Sequence, residues 1–412
     1  MTLTREQLAE RDASDPLAPM REAFTLPHGL IYLDGNSLGA LPKATAGQIE
    51  RVLQREWGEQ LISSWLGAGW IDMPARIGDK IGRLIGAAPG EVIAADSTSV
   101  NVYKTLAAAL ALRPERRVIL STPDNFPTDL YMAQGLIAQL GGHHELRLVD
   151  AEQLAEQIDD SVAIVTLTHV NYKTGRMYDM AAITAAAQAK GALTMWDLAH
   201  SAGAMPVDLN GANADFAVGC GYKYLNGGPG APAFLFVAAR HQPHFSQPLS
   251  GWMGHAQPFA FDSQYAPAEG IGRYLCGTPP VLSMAALECG VDLMLDADMA
   301  VVRAKSLALA DCFIELVEAR CADYGLSLVT PRDHALRGSQ ASFRYAEGYA
   351  VMRALSEQGV VGDFRAPDIM RFGFTPLYTR YVDMWDAVER LRQILITGSW
   401  DRPEWKVKQK VT

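Results

Sequence analysis

One lysine stands in an unusual setting. In the stretch GCGYKYLNGGPGAPAFLF, Lys223 lies between Tyr222 and Tyr224, after an apolar run and just before Gly227, Gly228 and Gly230. A solvated lysine has no need of such surroundings; one that bonds covalently to a buried group does. Asp197 closes the apolar run ALTMWD 26 residues earlier. That spacing leaves room for one crossover and one strand, so both residues are expected at neighbouring strand ends facing one site. Thr168 and His169 end AIVTLTH, and DSTSVNVYKTLAAAL sets Ser97, Thr98 and Ser99 at the start of a helix, where free N–H groups and hydroxyls suit a phosphate. A phosphate seat, a strand-end carboxylate and a flanked lysine together suggest pyridoxal phosphate. The lysine would hold the aldehyde as a Schiff base, and the carboxylate would keep the pyridinium nitrogen protonated so that the ring accepts electrons. Singly, each residue has a plainer reading: a solvated lysine, an aspartate capping DLAHSAG, ordinary helix-cap hydroxyls. The set, in this order, is what favours chemistry.

The elements that must position these residues are legible as alternation. RRVILS (116–121), SVAIVTLTH (161–169), GALTMWD (191–197) and ADFAVGC (214–220) read as strands, and their nearly continuous apolar character fits a parallel sheet covered on both faces. TDLYMAQGLIAQL and MAAITAAAQAKG read as crossover helices, the second stopped by Gly191. ATAGQIERVLQREWGEQLI has helical periodicity throughout. After about residue 285 a long helix, MAVVRAKSLALADCFIELVEARCADYG, leads into LSLVTP, GSQASFRY, a helix near 348–358, IMRFGFTPLY and a final helix YVDMWDAVERLRQIL. The expected fold is α/β, a large domain with a mostly parallel central sheet plus a smaller α+β domain. The expected division is an N-terminal segment, 1–50, packing with the small domain; a large cofactor-binding domain, 51–285; and a small C-terminal domain, 286–412.

The totals bound the rest. A chain of 412 residues suits two domains. With 49% hydrophobic and 20% charged residues it reads as soluble and globular. A net charge of −10, with no basic cluster interleaved with aromatics, argues against a nucleic-acid partner. No stretch is long and apolar enough to suggest a membrane span, and MTLTREQLAERDASDPLAPM has no signal-peptide core. Five cysteines form no CxxC pair, so no metal site is expected and reduced thiols in the cytoplasm are.

With these motifs in hand, the sequence resembles the kynureninases, pyridoxal-phosphate enzymes of the aspartate-aminotransferase fold, fold type I. YLDGNSLG (32–39), NFPTDLY (125–131), THVNYKTG (168–175), WDLAHSAGA (196–204), YKYLNGGPG (222–230), PLSGWMGH (248–255), YLCGTPP (274–280) and RFGFTPLY (371–378) carry the resemblance over nearly the whole chain. It implies that Lys223 is the cofactor lysine and the base at the substrate α-carbon, and that Tyr222 hydrogen-bonds the phosphate and moves protons. It assigns Thr98 and Ser99 to the phosphate, and Phe126 to a stack on the ring, with Pro127, Thr128 and Thr168 beside it. Asp129 and Asp197 are placed near the ring nitrogen, with His200 behind Asp197. Trp252 and Thr278 are implied to contact the phosphate of a second subunit, hence a homodimer with shared sites. Arg371 is implied to clamp the substrate carboxylate through its planar fork, helped by Asn36 and Ser37. Trp65 is implied to hold the substrate's aromatic ring. Trp65 and Thr278 match members that prefer unsubstituted kynurenine, whereas Met253 departs from the Phe usual at its place.

The implied reaction is hydrolysis of L-kynurenine, or its 3-hydroxy form, to anthranilate, or 3-hydroxyanthranilate, and L-alanine by Cβ–Cγ cleavage, in tryptophan and kynurenine catabolism. A cysteine desulfurase or an aminotransferase of the same fold is the alternative enzyme. Desulfurases usually carry His before the lysine and a reactive small-domain Cys; this chain has Tyr222, and no Cys follows Cys321. A non-catalytic cofactor-binding protein would have lost Lys223, Tyr222, Asp197 or Arg371, and all four are present.

Overall fold

The computed structural model describes residues 3–409; the outermost residues of the two end segments, 1–2 and 410–412, lie outside them. Along the chain the elements that matter here are α1 (Arg5–Ala13), α2 (Ala44–Arg51), α3 (Met73–Ile85), β1 (Val92–Ala94), α4 (Thr98–Leu112), β2 (Val118–Ser121), α5 (Pro127–Gln139), β3 (Glu145–Leu148), β4 (Val162–Thr168), α6 (Met180–Ala189), β5 (Leu193–Asp197), β6 (Phe216–Gly219) and β7 (Phe234–Val237). They continue with α7 (Val281–Leu295), α8 (Met299–Arg320), β8 (Ser327–Leu328), β9 (Gln340–Arg344), α9 (Gly348–Glu357), β10 (Asp363–Arg365), β11 (Ile369–Gly373) and α10 (Tyr381–Thr397).

The first seven strands form one sheet in the order β1-β7-β6-β5-β4-β2-β3. All neighbours are parallel except β7, which runs against both β1 and β6. The four strands expected from their apolar runs are present. Strands β1, β3 and β7 were not anticipated: β1 is only three residues long, β3 is partly exposed, and β7 follows a glycine-rich turn. Every residue of β4 and β5 is buried, as helices on both faces require. In register, Thr168 pairs with Asp197 and Asp197 with Val218. The carboxyl ends of β4, β5 and β6 therefore share one edge, and because β7 reverses direction twice over, β1 ends there too.

The expected single helix over ATAGQIERVLQREWGEQLI is not continuous. It is α-helical to Arg51, widens to π-helical turns over Val52–Glu59, and breaks at Leu61, whose φ of 51° is left-handed. The Ser64 hydroxyl donates to the Glu56 carbonyl at 2.5 Å and the Trp70 indole to the Glu56 carboxylate at 2.7 Å. These bonds give the wider turn partners that helical periodicity does not reveal. Helix α7, buried along Met284, Leu287, Val291 and Met294, packs against α2 and α3; its apolar character on all sides hid its period.

Strands β8–β11 form an antiparallel sheet in the order β8-β9-β11-β10. A second core gathers around Phe313 of α8, Phe343, Phe372 and Phe374, closed by α9 and α10. The N-terminal segment lies on this half: Leu8 of α1 is in that core, Arg5 pairs with Asp386 at 2.8 Å, and Asp12 accepts from the Tyr381 and Val382 amides at the start of α10. Ile31–Tyr32 then pairs in parallel with Val360–Val361. The Gly373 amide donates to the Leu33 carbonyl at 2.7 Å, and farther on the Gly39 amide donates to the Tyr222 carbonyl at 2.8 Å. The segment thus runs from the small sheet to the lysine turn.

Candidate active site

The shared carboxyl edge of the large sheet opens into a cavity of about 290 Å³. Helix α4 begins at it, with the Ser97 hydroxyl accepting from the Val100 amide. The first-turn N–H groups of an α-helix have no intrahelical acceptors, so those of Thr98 and Ser99, which line the cavity, are free for an anion. Phe126, Thr128 and Asp129 enter from the start of α5, Thr168 and Asp197 from β4 and β5, and His200, Tyr222 and Lys223 from the turns that follow β5 and β6. Pro127 does not line the cavity; it opens α5 at a position where a missing N–H costs nothing.

The lysine ammonium sits 5.8 Å from the ring centroids of both Phe126 and Tyr222. Two carboxyls face it. Asp197 accepts from the Ala199 amide at 2.8 Å, and burial pushes its carboxyl up, against the pull of Lys223. Asp129 is pushed well above the usual carboxylate range by burial and by the charge of Asp197, again opposed by Lys223. Its Oδ2 is buried without any hydrogen-bond partner. A buried carboxyl pair with an orphaned oxygen is a seat built for a positive N–H, which is what a protonated pyridine ring offers. The residues present therefore fit pyridoxal phosphate: an anion seat at α4, an aromatic face at Phe126, a paired acid for the ring nitrogen, and an amine.

Burial, with the charges of Lys223 and Arg371, holds the His200 imidazole well below its usual value, so it is neutral; its Nδ1 lies 3.2 Å from Gln340 Oε1. Burial likewise lowers His169, to about 4, and raises the Tyr222 hydroxyl, which stays protonated. His169 is packed edge-on against Trp196 rather than facing the cavity.

Arg371 lies next to the cavity in β11, paired in register with Asp363 of β10. Both side chains are 1% exposed. The Arg371 Nε donates to Asp363 at 2.7 Å and its Nη2 completes a two-bond fork. Nη1 donates to the Tyr172 carbonyl at 2.6 Å and Nη2 to the Ser37 hydroxyl at 2.8 Å. Ser37 in turn donates to Asp363. Asn36 is fully buried; its amide oxygen accepts from Arg371 Nε at 3.1 Å and its nitrogen donates to Asp34 at 3.2 Å, and it sits so close to Gly373 that a side chain there would collide with it.

Four expected site residues lie apart from this cavity within the chain. Trp65 and Thr278 line a separate apolar groove with Trp57 and Trp70, with Trp65 edge-on to Trp70 at 5.9 Å. Trp252 is 38% exposed and edge-on to Phe259. Met253 is buried, its amide donating to the Cys276 carbonyl. Further residues shape the cavity. Asn125 accepts from the Phe126 and Thr168 amides at 2.9 Å each, tying the ring-stacking position to β4. Tyr172 lines the cavity edge-on to Phe126, and Gln340 Oε1 lies 3.2 Å from His200 Nδ1. Asn125 and Tyr172 lie inside the motifs NFPTDLY and THVNYKTG, so position within a motif was the available signal.

The chain is 58% identical over 414 residues to a kynureninase from Burkholderia pseudomallei, covering 99% of this chain and 100% of that protein. The chain belongs to the kynureninase family. A kynureninase from Pseudomonas fluorescens is 55% identical over the same coverage, and a family model described as the kynureninase C-terminal domain matches residues 302–391. Among solved structures, a cysteine desulfurase from Thermococcus onnurineus superimposes with a TM-score of 0.78 at 18% identity, covering 96% of this chain and 100% of that one. A cysteine desulfurase from Escherichia coli gives 0.77 at 20% identity, covering 92% and 98%. At such identities the likeness establishes the fold, that of the fold-type I pyridoxal-phosphate enzymes, and the kynureninase kinship rests on sequence.

Proposed function

We propose that the protein uses pyridoxal phosphate to hydrolyse L-kynurenine to anthranilate and L-alanine, with 3-hydroxykynurenine as a second substrate. The observation that carries this reading is the buried carboxyl pair, Asp129 and Asp197, facing Lys223 beneath the open start of α4, in a chain of the kynureninase family. Pyridoxal phosphate would supply an aldehyde for the substrate amine and a ring that accepts electrons when a proton leaves the α-carbon. Thr98 and Ser99 would hold the phosphate and Phe126 would cover the ring. The Asp129–Asp197 pair would keep the ring nitrogen protonated.

Lys223, once free of its bond, would be the base that takes the α-proton. Tyr222, held protonated by burial, would be the donor at the β-carbon as the Cβ–Cγ bond breaks and water becomes part of the anthranilate carboxylate. Arg371 would hold the substrate carboxylate. Its Nε–Nη2 edge is occupied by Asp363, so the seat is the Nη1–Nη2 edge now held by the Tyr172 carbonyl and Ser37. Asp363 thereby fixes the guanidinium plane for recognition. Trp252 and Thr278, which lie off the cavity of their own chain, would complete the phosphate seat of a second copy, and Trp65, with Met253 near by in sequence to Trp252, would frame the aromatic ring. That arrangement requires a homodimer.

A desulfurase reading is not favoured. Burial pushes the thiols of Cys312 and Cys321 up to about 11, away from the thiolate such chemistry needs, and Cys220, which lines the cavity, is raised as well. The test is purified protein with pyridoxal phosphate and L-kynurenine, followed by the blue fluorescence of anthranilate, with Lys223→Ala as control. No fluorescence from the unaltered chain would overturn the proposal.

A further inference from the structure

We propose that Lys104, which touches nothing in the cavity, is a positioning residue for the cofactor's phosphate, acting through Asp96. The inference rests on the pyridoxal-phosphate reading of the site. Three residues, Ala95–Ser97, turn the chain from β1 into α4, and Asp96 within them has a φ of 50°. That left-handed conformation is unfavourable for a residue with a side chain, and Asn and Asp tolerate it better than most. The turn is held from several sides. The Ala95 amide donates to the Ala233 carbonyl and the Ala233 amide to the Asp96 carbonyl, at 2.8 and 2.9 Å. The Asn101 side chain donates to the Ala95 carbonyl at 2.9 Å.

The remaining hold is ionic. Lys104, on α4, has a side chain that is 0% exposed, and its ammonium donates to Asp96 Oδ2 and to the Tyr274 carbonyl at 2.6 Å each. A buried ammonium with only two partners, both short, is strongly committed to them. Asp96 lies one residue before the cap Ser97, and Thr98 and Ser99, whose N–H groups would meet the phosphate, follow directly. An unpaired carboxylate at that point would repel a phosphate dianion and cancel part of the attraction of the helix start. Lys104 neutralises it, while the backbone bonds to Ala233 and the Asn101 side chain keep the turn that aims Thr98 and Ser99. Its second partner extends the role: Tyr274 leads into Leu275–Thr278, and the Cys276 carbonyl accepts from the Met253 amide. One ammonium thus fastens the phosphate turn to the segments carrying Trp252 and Thr278.

The experiment titrates the full-length apo-protein with pyridoxal phosphate and, separately, with pyridoxal, which has the aldehyde and ring but no phosphate, reading tryptophan fluorescence quenching. Lys104→Met is expected to weaken pyridoxal phosphate roughly tenfold or more, the effect of one nearby unneutralised charge, while pyridoxal changes less than about twofold. Adding Asp96→Asn to Lys104→Met is expected to restore most of the loss, because Asn removes the charge and still tolerates the left-handed turn. Equal losses for both ligands, an unchanged pyridoxal phosphate affinity, or no rescue would each overturn the inference. Should Lys104→Met fail to fold by circular dichroism, Asp96→Asn alone decides: its preference for pyridoxal phosphate over pyridoxal is expected to rise, and an unchanged ratio is the overturning result. An unaltered chain that binds neither ligand would overturn the cofactor reading itself, a different outcome from one that binds pyridoxal phosphate while the variants match it.

Discussion

The Asp129 carboxyl sets function against stability, and Asp129→Asn separates the two. In the protein without cofactor, Asp129 is buried beside Asp197 with one oxygen unpartnered. Leaving such a group unsatisfied costs about 1–3 kcal/mol. Opposing this, an acidic residue in the first turn of α5 gains about 0.3–1 kcal/mol from the helix dipole, so burial wins. Asn keeps the shape, removes the charge and can donate to Asp197. The variant apo-protein is therefore expected to be more stable than the unaltered one at pH 7, by roughly 1–2 kcal/mol once the dipole loss is subtracted. At about 2 °C per kcal/mol for a chain of this size, that is a rise of a few degrees in Tm.

The pH dependence has a definite sign. A carboxyl raised above its unfolded value of about 4 binds its proton more tightly in the fold than in the unfolded chain. The unaltered protein loses stability as pH climbs from about 4 toward the raised value, and the variant lacks this loss. The gap between the two melting curves should shrink as the pH falls from 7 to 5, measured by calorimetry on cofactor-free protein. With pyridoxal phosphate bound the order should reverse, because the ring nitrogen has lost part of its counter-charge. A variant that melts lower at pH 7 without cofactor, or a gap indifferent to pH, would refute the reasoning.

Other consequences are simpler. Lys223→Ala should abolish anthranilate formation, and borohydride reduction of the unaltered protein with pyridoxal phosphate should leave the adduct on the peptide bearing Lys223, found by mass spectrometry. Arg371→Lys loses the planar fork while keeping the charge; kcat/KM for kynurenine should drop by about 100-fold, in line with one or two charge-assisted bonds, mostly through KM in steady-state assays. Asp34 is raised to about 7, first by burial and then by Asp363, with Arg371 opposing. Asp34→Asn should flatten the decline in stability that the unaltered apo-protein shows between about pH 4 and 7, read in urea denaturation at several pH values.

The parts of the site that could be read from sequence are those whose chemistry is local. Apolar runs ending in Thr168 and Asp197 predict strand ends, and parallel pairing in register then brings those ends together without further information. Helix α4 was visible through its cap and its hydroxyls. The residues that were not legible owe their roles to neighbours distant in sequence. Asp363 matters because antiparallel pairing sets it beside Arg371, a relation between two strands that neither strand displays alone. Asn36 and Arg371 meet across most of the chain, and nothing in either motif announces the other. The winding of Val52–Glu59 was missed for a related reason: a π-helical turn preserves apolar spacing well enough to pass as α-helix, and the bonds at Glu56 belong to a later stretch of chain.

The strap formed by residues 31–39 has a mechanical meaning. At one end it is sewn into the small sheet through Leu33, in its middle Ser37 grips the Arg371–Asp363 fork, and at the other end Gly39 holds the carbonyl of Tyr222. Any shift of the Arg371–Asp363 fork would pull on this cord, and the pull would arrive one peptide away from Lys223.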